Sequence, residues 1–214
     1  MKIKGLIFDL DGVLVDTVPA HFAAWKRMFE DHGYLFGKTE YRELVDGRPR
    51  FDGARAVMSR HSDVEVKRAA DMKNDYYVDM IERGEFRVFD EAVALVRQSQ
   101  SRGLKLAAAS SSANVRTVLQ KADLLEAFSV VIGGDDIERG KPHPDIFLTA
   151  AEGLGLDVEE CVVIEDSTSG VNAAKAGGFY CVGLVLDAQS ESLPAADRII
   201  NSLNELDVDE LAAV

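Results

Sequence analysis

The chain has 214 residues, of which 47% are hydrophobic and 29% charged, a composition that suits one sizeable core or a core with a small second domain. Lysine and arginine number 24 against 37 aspartates and glutamates, so the formal net charge is −13. Such an acidic chain disfavours nucleic acids and anionic membranes as partners. No run reaches the roughly 18 apolar residues of a membrane span, and the first residues have no leader-like pattern, so we expect a cytoplasmic protein.

Short apolar runs with the length of buried strands recur along the sequence. They are Ile3–Phe8, Leu104–Ala109, Val130–Ile132, Val162–Ile164 and Val182–Leu186. Amphipathic stretches with helical periodicity separate most of these runs. Strands that alternate with helices predict an α/β fold with a doubly wound, Rossmann-like parallel sheet.

The stretch that follows the first run has a different pattern. Residues 16–87 string together amphipathic segments such as HFAAWKRMFEDHG and contain no convincing strand. We therefore expect a small all-helical cap domain at 16–87, inserted after the first strand of a core made of 1–15 and 88–214.

Two acidic pairs end apolar runs. Asp9 and Asp11 follow the first run, and alternation along a strand would point both to one side of its carboxyl end, the edge where open parallel sheets bind ligands. They fit a strand-to-turn junction, a metal site, or a nucleophile with its proton-transfer partner. Glu165 and Asp166 end the later run CVVIED. One such ending is a common helix cap, whereas two at one edge indicate a metal cage, and carboxylate oxygens favour Mg²⁺.

A serine and a lysine follow two other segments. Ser110 ends the run LKLAAAS and either donates a hydrogen bond to an anion or caps the next helix. Lys141, in ERGKPHPDIF, is either a counter-charge for the acidic pairs or a solvated loop residue.

Taken together, DLDGVLVDT, Ser110, Lys141 and the EDS segment resemble, in order, the four motifs of the haloacid dehalogenase superfamily of phosphoryl-transfer enzymes. The resemblance implies that Asp9 attacks phosphorus to form an aspartyl-phosphate and that Asp11 moves a proton on or off the bridging oxygen. It further implies that Ser110 and Lys141 hold the transferring phosphoryl group.

The same resemblance implies a magnesium cofactor. The ligands would be Asp9, the backbone carbonyl of Asp11 and Asp166, with Glu165 supporting the site. A non-catalytic protein that keeps the fold is disfavoured because all four motif positions hold competent residues. A nucleotide-binding oxidoreductase is disfavoured because no GxGxxG follows the first strand.

The segments HFAAWKRMFEDHG, MKNDYYVDMI and GKPHPDIF resemble the β-phosphoglucomutase-like subfamily, and the likeness covers nearly the whole chain. The resemblance implies an enzyme that interconverts β-glucose 1-phosphate and glucose 6-phosphate through a bisphosphate. We expect a monomer, although the sequence carries no signal of oligomeric state. A phosphatase of the same fold, acting on a sugar phosphate or another small phosphometabolite, would share the core residues and stays an alternative.

The resemblance also implies substrate contacts from the inserted segment. Thr17 and His21 would help to align Asp11, Lys73 would reach the sugar, and Arg50, in VDGRPRFDG, would bind the distal phosphate. From the residues alone, His21 fits equally a packed position on its helix, Lys73 a solvated helix face, and Arg50 an exposed turn.

Two core residues, Ser112 and Asn114, match subfamily contacts to the same phosphate. Between them the subfamily usually has lysine, whereas this chain has Ala113. Losing one charged donor costs about 1.5 to 3 kcal/mol of phosphate binding. Either Arg48 compensates for this loss or the substrate is not glucose phosphate, which leaves the identity of the sugar open.

Overall fold

The structure, a computed structural model, describes residues 2–45, 48–186 and 192–211. Asp46 and Gly47, which precede Arg50 in the segment VDGRPRFDG, lie outside the described residues. The chain divides into two compact units. The first unit comprises Met1–Asp16 and Arg87–Val214, and the second comprises Thr17–Phe86.

The described strands all belong to the first unit. They are β1 (Gly5–Asp9), β2 (Val15–Asp16), β3 (Arg87–Val88), β4 (Lys105–Ala109), β5 (Val130–Ile132), β6 (Cys161–Glu165), β7 (Tyr180–Leu184) and β8 (Arg198–Ile200). Six of them form a parallel sheet in the order β5-β4-β1-β6-β7-β8, and β2 pairs with β3 in an antiparallel ribbon.

Helices make up the rest of the regular structure. The second unit contains α1 (Val18–Asp31), α2 (Lys38–Glu40), α3 (Arg50–Val57) and α4 (Asp63–Glu82), and a π-helical turn, Tyr41–Val45, follows α2. The first unit contains α5 (Asp90–Ser101), α6 (Val115–Lys121), α7 (Asp145–Leu154), α8 (Thr168–Ala176) and α9 (Val208–Leu211). No helix in the described parts of the chain is long and apolar enough to cross a membrane.

The sheet order positions the site. From β1 the chain moves outward through β4 to β5, then returns to the other side of β1 for β6, β7 and β8. The carboxyl ends of β1, β4 and β6 therefore meet where the winding reverses, which is where doubly wound sheets bind ligands. Every residue of β1 and of β6 is buried, which explains why both strands are continuous apolar runs up to the acid at their last position.

The second unit has a core of its own. Helices α1 and α4 pack together around an apolar cluster that includes Trp25, Met28 and Phe29. A capping box begins α4: Ser62 Oγ accepts from Glu65 N, and Ser62 N donates to Glu65 Oε2 at 2.8 Å.

The predicted α/β fold is confirmed, and each of the five predicted strands overlaps an observed strand of the sheet. Strand β8 and the β2–β3 ribbon were not predicted, because two- or three-residue strands carry almost no periodic pattern. Asp16 and Arg87, which the sequence pattern assigns to the inserted segment, pair with each other in this ribbon within the first unit.

Candidate active site

The acidic turn after β1 is built around Gly12. Strand β1 ends at Asp9, and Gly12 N donates to Val15 O at 2.7 Å while Gly12 adopts a φ of 86°. A Cβ atom at Gly12 would lie 1.8 Å from Asp166 Oδ2, so the backbone there lies directly against that carboxylate. Asp11 lies beyond the end of β1 and forms an isolated bridge with Val15 in this turn.

Lys141 reaches into this acidic turn from the loop before α7. Its ammonium group donates to Asp9 Oδ1 and to Glu165 Oε1, and its side chain is only 7% exposed. The nitrogen also lies 5.1 Å from the centre of the Phe147 ring. The alternative of a solvated loop lysine is therefore wrong.

Glu165, the last residue of β6, is completely buried, and both of its carboxylate oxygens accept hydrogen bonds. Its Oε2 atom accepts hydrogen bonds from Ser167 N at 2.7 Å and Ser167 Oγ at 3.0 Å, while Oε1 accepts from Lys141. Ser167 is also the N-cap of α8, because its Oγ accepts from Gly170 N at 3.1 Å. Sequence reasoning assigned Ser167 no role, although a serine directly before a helical pattern was a usable signal.

The electrostatics of the site are dominated by negative charge. Burial raises the pKa of Asp9 well above its ordinary value. The charge of Lys141 lowers this pKa, and the neighbouring acids raise it further. Burial and then Glu165 raise the pKa of Asp166 to about 8. Burial works against the charge of Lys141, but Asp9 and Glu165 outweigh it and raise the lysine pKa above its usual value. Four carboxylates, with that of Asp11, face one ammonium group, so a further cation would relieve their repulsion.

The oxygen donors fit a magnesium ion. Within residues 2–45, 48–186 and 192–211, no three His, Cys, Asp or Glu side chains come together as a metal cluster. The ligand set that the sequence implies has two carboxylates, those of Asp9 and Asp166, because the third donor is the Asp11 carbonyl and both oxygens of Glu165 accept from Lys141 and Ser167. Mg²⁺ takes few carboxylates and keeps several waters, so such a set suits it.

Residues 110–114, here called the serine turn, follow β4. Ser110 is buried, and its Oγ donates to Asp11 Oδ2 at 3.2 Å and accepts from Ser112 N at 3.1 Å. Ser112 Oγ in turn accepts from Asn114 N at 3.2 Å. Asn114 is the N-cap of α6, so the alternative that Ser110 caps this helix is wrong.

In the second unit, the structure brings Lys73 and His21 together. Lys73 Nζ lies 2.8 Å from His21 Nδ1, and it lies 5.0 and 5.2 Å from the ring centres of Tyr77 and Trp25. His21 stacks on Tyr77 with 4.0 Å between ring centres. Lys73 is 5% exposed, so the alternative of a solvated lysine is wrong. Burial, and then the charge of Lys73, lower the pKa of His21 well below its ordinary value.

Thr17 and Arg50, the other two candidate substrate-binding residues in this unit, each lie at the start of a helix. Thr17 is completely buried and precedes α1, where its carbonyl accepts from His21 N at 2.9 Å. Arg50 is the first residue of α3 and is half-buried, on a different helix from both His21 and Lys73.

Comparison with known proteins gives consistent matches along the chain. The sequence model of the haloacid dehalogenase-like hydrolases matches residues 3–178. The chain is 29% identical to β-phosphoglucomutase of Bacillus subtilis, over 98% of this chain and 94% of that protein. It is 31% identical to hexitol phosphatase A of Escherichia coli, over 97% of this chain and 95% of that protein. The crystal structure of β-phosphoglucomutase from Clostridium difficile matches with a TM-score of 0.86 and 28% identity, over 98% of this chain and 95% of that chain.

Proposed function

Because the chain belongs to the haloacid dehalogenase-like hydrolase family, and within it to the β-phosphoglucomutase-like subfamily, we propose that it interconverts β-glucose 1-phosphate and glucose 6-phosphate. Membership makes it a phosphotransferase, either a mutase or a phosphatase. The observation that carries the proposal is the buried ammonium of Lys141 between Asp9 and Glu165. A carboxylate can attack an anionic phosphoryl group only where positive charge offsets their repulsion.

In the proposed reaction, Asp9 is the nucleophile. A bond forms between an Asp9 carboxylate oxygen and phosphorus while the bond from phosphorus to the sugar oxygen breaks. Asp11 gives a proton to the departing sugar oxygen. In the second half-reaction a sugar hydroxyl bonds to phosphorus while the Asp9–phosphorus bond breaks, and Asp11 takes the proton of that hydroxyl. Ser110 and Lys141 donate hydrogen bonds to the phosphoryl oxygens, a role that fits the buried position of both side chains.

Asp9, the carbonyl of Asp11 and Asp166 would hold Mg²⁺. When bound, the ion would offset the charge of the phosphoryl oxygens as the nucleophile approaches. Glu165 acts indirectly in this scheme: its carboxylate, fixed by Ser167, orients the ammonium group of Lys141. The excess of carboxylates over ammonium groups supports the assignment of a cation here.

The first unit would act as the catalytic core and the second as the cap that recognises the sugar. A mutase must keep its phosphorylated aspartate from water until sugar is bound, and a cap that closes over sugar does this. We assign sugar recognition and alignment of Asp11 to Thr17, His21 and Lys73. Because Nδ1 of neutral His21 accepts from Lys73, its proton resides on Nε2, which can donate to a sugar oxygen or a carboxylate.

The distal phosphate of the sugar bisphosphate would be bound by Arg50, Ser112 and Asn114. Ser112 and Asn114 are joined within the serine turn, which supports a common role for them. Ala113 between them is exposed, so the position is open to solvent and carries no charge.

A second candidate, a sugar-phosphate phosphatase, is favoured by this alanine. Without a cation at position 113, a second phosphate is held less tightly, and a monophosphate becomes the better substrate. The similarity to hexitol phosphatase A is compatible with this candidate. It uses the same Asp9, Asp11 and Lys141 and differs in transferring the phosphoryl group to water.

One assay separates the two candidates. The protein is given β-glucose 1-phosphate, Mg²⁺ and a trace of β-glucose 1,6-bisphosphate, and glucose 6-phosphate is measured against free phosphate. Glucose 6-phosphate as the main product supports the mutase. Mainly free phosphate overturns it in favour of the phosphatase, and equal activity in Asp9→Asn overturns both.

A further inference from the structure

The turn that follows β5, residues 133–136, packs against the serine turn by backbone contacts. The pairing of β4 with β5 continues past the strands, because Ser110 N donates to Ile132 O at 3.0 Å. Gly134 N then donates to Ser112 O at 3.3 Å. The serine turn is therefore attached to the end of β5 at its first residue and to the second turn at its third residue.

Gly134 leaves no room for a side chain at this contact. A Cβ atom there would lie 2.2 Å from the carbonyl oxygen of Ser111 and 3.1 Å from its carbonyl carbon. A backbone oxygen cannot rotate away as a side chain does, so any larger residue must displace the serine turn itself. Gly134 does not have a positive φ, so alanine there would bring a steric contact and no backbone strain.

A displacement at Ser111 is transmitted to the serine hydroxyl beside the acids. Ser110 Oγ accepts from Ser112 N and donates to Asp11 Oδ2, so Ser111 lies between two residues that a hydrogen bond ties together. Ser110 is buried and cannot compensate by moving into solvent.

We propose that Gly134 is a positioning residue for phosphoryl transfer, whose close backbone contact with Ser111 sets the place of the Ser110 hydroxyl relative to Asp11. This inference rests on the proposed function, because only there does Ser110 touch the transferring group. Gly134 touches no reacting atom and acts through the serine turn alone.

Three alanine variants differ in how closely the added Cβ atom would approach neighbouring atoms. Gly134→Ala makes the severe contact with Ser111 O. Gly133→Ala makes a milder one, with Val115 Cγ1 at 3.1 Å and Ser112 O at 3.2 Å. Gly140→Ala is the matched control, because a Cβ atom there meets nothing within 4 Å.

The test is a double-mutant cycle with Ser110→Ala, using p-nitrophenyl phosphate and β-glucose 1-phosphate as substrates with Mg²⁺. We expect Gly134→Ala to lower kcat at least about tenfold with both substrates, Gly133→Ala to lower it less, and Gly140→Ala to leave it unchanged. In the Ser110→Ala background, the effect of Gly134→Ala should shrink to less than about twofold, because the group through which it acts is gone.

Two results would overturn the proposal: a kcat of Gly134→Ala within about twofold of the wild type, or an equal fold-loss with and without Ser110. If Gly134→Ala does not fold, Gly133→Ala carries the same comparison, and a loss that persists without Ser110 overturns the proposal. Failure of the proposed function can be told apart from failure of this proposal, because only in the former case would Asp9→Asn keep the wild-type rate.

Discussion

The ammonium nitrogen of Lys73 lies 2.8 Å from Nδ1 of His21, and burial together with this charge keeps the imidazole in its neutral form. Its pKa is well below the ordinary value of 6.5 when the protein is folded and returns there on unfolding. The unfolded chain then binds more protons below pH 6.5, and the stability that neutral His21 contributes is present above this pH and lost as pH falls. We expect His21→Asn to flatten the fall in unfolding free energy between pH 7 and 5, by up to about 1.4 kcal/mol per pH unit.

His32→Asn is the control for this prediction, since His32 lies at the end of α1 with its Nδ1 2.8 Å from Met28 O. Denaturant unfolding at several pH values measures both variants. An unchanged pH dependence in His21→Asn, or an imidazole of His21 that titrates near 6.5 in the folded protein, would contradict the account.

Replacing Lys141 with methionine removes the charge between two buried carboxylates. We expect kcat to fall at least about a hundredfold, because the phosphoryl group loses its donor and the repulsion from the acids is no longer offset. The unfolding free energy should fall by about 3 to 5 kcal/mol in metal-free buffer, because Asp9 and Glu165 are left buried without their partner.

Lys175→Met is the matched control, since Lys175 pairs with Asp197 away from these acids and its side chain is 34% exposed. Steady-state kinetics and denaturant unfolding are compared for the two variants. Equal losses of activity would show that Lys141 has no special role.

Ser167→Ala tests the support of Glu165. The change removes the hydroxyl that donates to Glu165 Oε2 and accepts from Gly170 N. We expect the unfolding free energy to fall by about 1 to 2 kcal/mol, the usual cost of a lost N-cap with a buried hydrogen bond, and kcat to fall as Lys141 loses its orientation. Ser167→Thr should keep both properties, and a Ser167→Ala enzyme as stable as the wild type would argue against this role.

The fold was predictable where a strand is buried along its whole length and therefore appears in the sequence as an apolar run. Strands β1 and β6 are buried along their whole length, so they stand out as apolar runs, and the acids that end them mark the carboxyl edge of the sheet. Strand β8, of three residues, and the β2–β3 ribbon are too short for any periodicity to reveal.

The positions of some site residues were likewise predictable from the sequence, and those of others were not. Asp9, Ser110 and Glu165 each follow or end an apolar run, which predicted a common edge of the sheet for them and a place beside them for Lys141, and the structure places all four together. The burial of Lys73 was not predictable, because Trp25 of α1 covers it only once α1 packs on α4, whereas Tyr77 lies one turn further along the same helix. Local spacing carries no record of such tertiary contacts.

Ala113→Lys tests whether this position selects the substrate. A lysine there would add a charged donor to the serine turn, which is worth about 1.5 to 3 kcal/mol and corresponds to roughly a 10- to 150-fold lower KM for the sugar bisphosphate. Ala113→Met supplies a neutral side chain of similar length as the control. The KM values of both variants are measured at saturating Mg²⁺, and a lysine effect no larger than the methionine effect would exclude the position from phosphate recognition.

The most direct test of the account is chemical trapping of the phosphorylated enzyme. Enzyme with bound Mg²⁺ is mixed with β-glucose 1,6-bisphosphate, quenched in acid and reduced with borohydride, which converts an acyl phosphate to an alcohol, and the altered residue is located by peptide mass spectrometry. If Asp9 is the nucleophile, the alteration is found at Asp9 and is lost in Asp9→Asn. An alteration at any other residue, or turnover without an alteration at Asp9, would contradict it.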